Sequence, residues 1–287
     1  MWARNWSVRL FLAGLFSVAA ASEVGASDRS RLSPFELHND GDMVVWVRLN
    51  GNGPFRFLFD TGSSRSVVSE SIARVLTLAP LAETALVTPA GRTIRPVAVL
   101  RRLELGAAPP TNVLATIVPD AELGRSRGVS GIVGQDVLGA LTYTIDYENR
   151  QIVWHVTMPR DCEGHRLALQ RSGRGLLVTL PQPSGVGDLH FVPDTGANGW
   201  VLFAKGRRLP NAAPLGAAWL YAMSEERPAM SFLIGELSVG GMMFRNQRAV
   251  IIDGGAQGLP GDGLLPLHLF ARVTFNPREH QLIVKGY

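Results

Sequence analysis

The sequence predicts an all-β protein made of two related lobes in tandem. Short apolar runs alternate with turn-forming residues, since 31 glycines and 18 prolines are scattered through the 287 residues. That is the pattern of many short strands joined by tight turns. The length is generous for one ordinary domain and comfortable for two. The chain also repeats itself, which turns a general β-rich reading into a two-lobed one.

The repeat is read first at Phe57–Ser64, FLFDTGSS, which is echoed by Phe191–Asn198, FVPDTGAN. In both, an apolar run leads into Asp-Thr-Gly and a second apolar segment follows. The two aspartates, Asp60 and Asp194, stand 134 residues apart (194 − 60). Downstream, Leu103–Gly106 matches Leu237–Gly240 and Ala115–Val118 matches Ala249–Ile252 at the same spacing. Gly131–Leu138 then matches Gly263–Phe270, and Thr144–Val153 matches Thr274–Ile283, with the offset slipping only to 132 and 130. Ordered matches with a slowly drifting offset indicate duplication of one folding unit, the drift being loop-length change. The layout that follows is an export signal over residues 1–26, a first lobe over 34–156, a linker over 157–172 and a second lobe over 173–287.

Within the first lobe, Met43–Leu49 and Phe55–Phe59 read as strands around the turn-rich Asn50–Pro54. Ser69 reads as the cap of a short helix reaching Leu76. Tyr143–Tyr147 and Gln151–His155 read as a closing hairpin, repeated by Val273–Phe275 and Leu282–Val284 in the second lobe.

Composition narrows the function classes. Hydrophobic residues make up 46% and charged residues 18%, enough to bury cores and too apolar for a disordered chain. The net charge is +4 and the pI about 9.7, but the basic residues are dispersed. Arg101-Arg102 and Arg207-Arg208 are isolated pairs without interleaved aromatics, so no nucleic-acid partner is expected. At the N-terminus, Arg4 and Arg9 precede or enter an uncharged apolar run, Leu10–Ala21, with small residues suited to cleavage after Ala21 or Ala26. This is the pattern of a secretory signal, and the run is short for a membrane span. The expectation is an exported protein, periplasmic or secreted, with no membrane span after cleavage; an uncleaved anchor is the alternative. The single cysteine, Cys162, cannot form a disulfide within the chain. Cys162 and His165 make a C-x-x-H pair without a second pair, and the other histidines show no ligand spacing, so neither metal nor cofactor is expected. No nucleophile elbow, zinc-peptidase helix, phosphate-binding lysine loop or dinucleotide fingerprint is present.

Asp-Thr-Gly at the end of an apolar strand has a chemical use. The strand fixes the backbone, and glycine lets the chain turn sharply while another backbone approaches. Two copies related by a pseudo-dyad would bring two carboxyls face to face. Carboxyls that close cannot both ionise readily, so they share a proton. One can then act as base on a water and the other as acid toward a carbonyl. Paired catalytic aspartates of this kind are a well-known arrangement.

These residues resemble the active-site motif of the retropepsin-like and pepsin-like aspartic peptidases, with Ile132-Val133-Gly134 similar to the segment that family packs behind its catalytic loop. The resemblance covers nearly the whole mature chain. It implies closed-barrel lobes, a cleft between them for an extended polypeptide, and a hairpin flap. Asp60 and Asp194 match the catalytic pair, Thr61 and Thr195 the threonines that tie the loops together, and Gly62 and Gly196 the turn glycines. Ser63 completes the first motif. The flap is expected around Thr88–Thr93, with Thr88 and Gly91 at its turn. Two motifs in one chain imply a monomeric endopeptidase. A non-catalytic peptide-binding relative with a decayed second lobe, and a homodimer pairing Asp60 from each chain, stay open beside it.

The second lobe departs from the first at three places. Pro193 precedes Asp194, Pro266 stands where the first lobe has Gly134, and Ala197 stands at the position of Ser63. A Ser63 hydroxyl bonded to the carboxylate would favour its charged form, so Asp60 is expected to be the more readily ionised partner. Trp219 and Tyr221, in the region matching the flap, are expected to fill the core.

Overall fold

The computed structural model describes residues 31–38, 41–88, 91–123, 128–158, 162–173, 175–182, 187–203, 212–223, 225–252 and 259–287. The expected export signal lies outside them.

Period-two alternation builds the first lobe. After the short strands β1 (Leu32–Pro34) and β2 (Glu36–Leu37), β3 (Met43–Leu49) turns Met43, Val45, Val47 and Leu49 inward and leaves Trp46 and Arg48 outside. The turn into β4 (Asn52–Phe59) needs only two residues, Asn50 and Gly51, both left-handed at φ 50° and 82°. That pairing matches the twist of a hairpin, so the strand begins three residues before the sequence pattern suggests. Beyond the loop carrying Asp60 come β5 (Val67–Ser69) and helix α1 (Glu70–Val75), where Ser69 Oγ accepts from Ile72 N as the expected cap. A long hairpin of β6 (Ala82–Val87) and β7 (Arg92–Leu105) follows. Then come β8 (Thr111–Val118), a 3₁₀ turn (Asp120–Leu123), β9 (Gly131–Val133), helix α2 (Gln135–Leu138), β10 (Thr142–Asp146) and β11 (Gln151–His155).

The second lobe repeats the plan through β12 (His165–Ser172), β13 (Gly175–Leu180), β14 (Leu189–Asp194), β15 (Trp200–Phe203), β16 (Ala212–Ala222), β17 (Glu225–Val239), β18 (Met242–Ile252), β19 (Gly263–Pro266), β20 (Arg272–Asn276) and β21 (Gln281–Lys285).

In the first lobe, strands run β3-β4-β9-β5-β8-β7, and β7 pairs back onto β3 through Val47↔Leu105 and Leu49↔Leu103, closing a barrel. The second lobe keeps the strand order but closes differently. Pro181 stands at the position of Val47 and cannot donate to a ladder. Instead the Gln182 side chain acts as a strand edge, its Nε2 donating to Ser238 O at 3.1 Å and its Oε1 accepting from Ser238 N at 3.2 Å.

The lobes share a sheet that the sequence pattern does not announce, ordered β1-β11-β10-β20-β21-β12. At its centre β10 pairs antiparallel with β20, its own counterpart, and Thr144 faces Thr274 with the hydroxyls 2.8 Å apart. The pseudo-dyad passes between them. This corrects the expected linker: residues 165–172 of the span 157–172 form β12, the second-lobe equivalent of β1, and only the segment before it connects the lobes. Across the same seam Tyr143 stacks on Phe275 with ring centroids at 4.9 Å and meets Phe59 edge-on at 5.6 Å, so one apolar core runs through both lobes.

In each lobe a short strand of three or four residues lies beside the aspartate loop. β9 runs parallel to β4 and antiparallel to β5, and β19 does the same between β14 and β15. The leading glycines make this possible: a Cβ on Gly131 would stand 2.3 Å from Val67 O and Phe57 Cε1, and one on Gly263 would stand 2.1 Å from Val201 O. Either Gly131→Ala or Gly263→Ala is therefore expected to destabilise the protein by about 3 kcal/mol through overpacking. Urea unfolding of the two variants against the parent chain measures it.

Candidate active site

Each aspartate sits where a central strand ends. Asp60 follows β4, its N–H donating to Val133 O at 3.1 Å, and Asp194 closes β14 opposite Pro266. Below them the threonines cross. Thr61 Oγ1 donates to Pro193 O at 2.8 Å and accepts from Thr195 N at 3.0 Å. Thr195 Oγ1 accepts from Thr61 N at 3.0 Å and donates to Phe59 O. Both threonines are buried, Thr61 completely. The four bonds lock the loops to each other as the resemblance implies. They also show why Pro193 is tolerated: the brace uses its carbonyl, which proline keeps.

The carboxyls meet above this brace, each close enough to act on the other. Asp60 Oδ1 accepts from Gly62 N and Ser63 N, each at 2.9 Å, and Asp194 Oδ1 accepts from Gly196 N at 2.7 Å. The two turn glycines are not equivalent. A Cβ on Gly62 would lie 2.4 Å from the Asp194 Cγ, whereas one on Gly196 would lie 3.3 Å from Asp194 Oδ1 and 3.4 Å from the Asp60 Cγ. Gly62 is thus the surface against which the Asp194 carboxyl rests, and no side chain fits there.

Burial raises the pKa of both carboxyls, and the charge on Asp60 raises that of Asp194 further. Asp194 is only 7% exposed while Asp60 is half-buried, so burial disfavours the charged form most at Asp194. The cause expected for an asymmetry, a bond from the Ser63 hydroxyl to the carboxylate, is absent. Ser63 Oγ donates to Arg65 O at 2.8 Å, and it is the Ser63 backbone N–H that meets the carboxylate. Ala197 can supply the same backbone group to Asp194.

Two supports escaped the sequence reading. Gln135 Nε2 donates to Thr61 O, and Gln135 N donates to Ser63 O, both at 2.8 Å. Asp136 accepts from Ser66 Oγ at 2.7 Å, and that hydroxyl in turn accepts from Gly134 N at 3.1 Å. The signal was present as two polar residues directly after Ile132-Val133-Gly134. The matching second-lobe positions hold Leu267 and His268, and there the β14–β19 ladder is one pair longer, extending through Pro266.

The expected flap turn forms between β6 and β7, with Thr88 N donating to Gly91 O at 2.9 Å; residues 89 and 90 lie outside the described residues. The expectation for Trp219 and Tyr221 is corrected. They are 56% and 46% exposed, because alternation along β16 sends Leu220 inward and these two outward. Cys162 donates its thiol to Thr274 Oγ1 at 3.4 Å, and no group of three or more metal-ligating side chains occurs among the described residues.

The fold is that of a bilobal, aspartic-protease-like protein. Residues 45–137 match the family model described as aspartyl protease. The fold is similar to that of basic 7S globulin from soybean, with a TM-score of 0.51 and 11% identity over 88% of this chain and 94% of that one. No curated protein matches the sequence. The family match is confined to the first lobe, and the whole-chain likeness is one of fold.

Two outcomes follow. Thr61→Val leaves the Pro193 carbonyl and the Thr195 N–H unpaired in a buried site, at a cost of about 2–5 kcal/mol, while Thr61→Ser keeps most of the stability; denaturant titration separates them. Asp194→Asn tests the raised pKa. The native pair binds its proton more tightly than the unfolded chain does, so its contribution to stability is complete in acid and is lost as pH rises through the raised values. The variant should therefore melt about 2–4 °C above the parent at pH 8 and converge with it at pH 4, as read by calorimetry.

Proposed function

We propose that the chain is an aspartic-type endopeptidase acting on extended polypeptides. The observation that carries this is the facing pair of buried carboxyls, Asp60 and Asp194, seated on a reciprocal threonine brace. A water bound between the carboxyls loses a proton to ionised Asp60 as its oxygen bonds to the peptide carbonyl carbon. Asp194 gives its proton to the carbonyl oxygen. As the tetrahedral intermediate collapses, Asp194 takes a proton back, Asp60 passes its proton to the leaving nitrogen, and the C–N bond breaks. Exclusion of water around buried carboxyls strengthens each of these transfers.

Two lobes that meet at the paired carboxyls, each carrying a long hairpin, suit an extended chain. Both carboxyls come from one polypeptide, which favours a monomer over a homodimer built on Asp60 alone. The second-lobe departures leave the brace and the carboxyl contact intact, which favours a cutting enzyme over a peptide-binding relative. The N-terminal signal pattern supports a periplasmic or secreted setting for this activity.

Digestion of a peptide library by the parent chain, Asp60→Asn and Asp194→Asn is the test. Each substitution is expected to lower the rate at least about a hundredfold. Cleavage that survives both substitutions would sink the reading. Loss with Asp60→Asn alone would point to the homodimer.

A further inference from the structure

The outermost strand of a sheet has one row of backbone groups without a partner strand, and proteins usually blunt such edges with brevity, charge or proline. Among the described residues the two sheets end at β1, β16, β2 and β6. Three of these follow the rule. β1 has three residues and ends in Pro34, β2 has two residues, and β6 carries the exposed Glu83. The edge at β16 is different. Its 11 residues, Ala212–Ala222, pair with β17 on one side, no described strand lies on the other, and none of the 11 is charged.

Only part of that edge is able to take another strand. Pro214 lacks a donor, and the register shifts between Pro214 and Gly216, which closes the edge at its start. Met223, left-handed at φ 54°, turns the chain at the other end. The usable edge is therefore 216–222, and Trp219 is its middle residue. Along it Ala217, Trp219 and Tyr221 face solvent, while Leu220 is buried. Met230, which pairs with Ala217, extends the same exposed face, and Leu215 at the bulge is 47% exposed.

We propose that β16 joins two copies of this chain, pairing antiparallel with itself about a two-fold axis at Trp219. That register sets Trp219 against its own copy and Tyr221 against Ala217 of the second copy. A large side chain then meets a small one on either side of a central aromatic pair, and cross-strand pairs of this kind stabilise a ladder. The absence of charge favours a copy as the occupant. Two chains of net charge +4 repel each other in general, and this strand brings no like charges face to face. A partner recognised by charge finds none on it. The exposed parts of Trp219, Tyr221, Met230 and Leu215 offer roughly 400 Å² of apolar surface per copy, about half of the ~800 Å² that each partner contributes to a standard interface. The backbone edge adds to this, and the dimer is expected to dissociate in the micromolar range. Each copy keeps its own Asp60 and Asp194, so this assembly differs from a dimer built on Asp60 alone, and it stands whether or not the chain cuts peptides.

Sedimentation equilibrium of the parent chain over about 1–200 µM is expected to show monomer in equilibrium with dimer. Trp219→Lys removes the central aromatic pair and puts two like charges on the axis, and should weaken the dimer at least about tenfold. The side chain is exposed, so circular dichroism and the melting temperature should stay those of the parent. Ala217→Glu and Tyr221→Lys should each weaken the dimer, and the double variant should recover it, because the carboxylate of one copy then faces the ammonium of the other at two places. That recovery belongs to the antiparallel register about Trp219. A parent chain that stays monomeric up to about 200 µM overturns the proposal. A dimer untouched by Trp219→Lys overturns it by placing the contact elsewhere. A double variant no stronger than the single ones overturns it by assigning the edge to another register or another partner. Should Trp219→Lys fail to fold, the Ala217 and Tyr221 series decides alone.

Discussion

The crossed threonines beneath the carboxyls are the interaction on which the rest of this structure depends. Thr61 and Thr195 each exchange bonds with the backbone of the opposite loop, and neither loop keeps its shape without the other. Buried hydrogen bonds of this kind contribute modestly when made and cost heavily when one partner is lost. They hold two carboxyls at a separation that electrostatics opposes. The raised pKa of Asp194 and the intolerance of Gly62 to any side chain both follow from that enforced closeness and burial.

Much of this was legible in the sequence because duplication prints the same constraint twice. The Asp-Thr-Gly pair and the glycines at 131 and 263 recur because backbone approaches to within van der Waals limits at both places. Ser69 was legible as a cap because a hydroxyl before an apolar run satisfies a free helix N–H. The shared sheet was not legible. Pairing between β10 and β20 joins two copies of the same strand, and local periodicity gives the same pattern whether a strand's partner is near or 130 residues away. Trp219 and Tyr221 misled for a related reason: their outward positions on β16 follow from Leu220 facing in, and aromatic character does not report which face is buried. The role of Ser63 was misassigned because a motif residue can act through its backbone, a group all residues carry.

The two lobes solve common problems with different chemistry. A backbone ladder closes the first barrel, while a glutamine side chain does so in the second, where Pro181 has removed the donor. Gln135 and Asp136 hold the first aspartate loop, while beside the second runs a longer parallel ladder ending at Pro266. Substitution is thus tolerated around the brace wherever a different group can satisfy the same backbone atoms. The brace itself, made by the same residue types in both halves, shows no such replacement.

The contact between Thr144 and Thr274 has a further consequence. A strand that pairs with its own counterpart across a two-fold axis needs no second kind of sequence to complete it. A single lobe carries every edge required to assemble this seam with an identical copy of itself. Joining two such copies in one polypeptide removes the concentration dependence of that assembly and releases each half from having to serve both sides of the axis. Pro193, Gln182 and Met223 each sit in one half only, and each is a feature that a symmetric pair of identical chains would have had to carry twice.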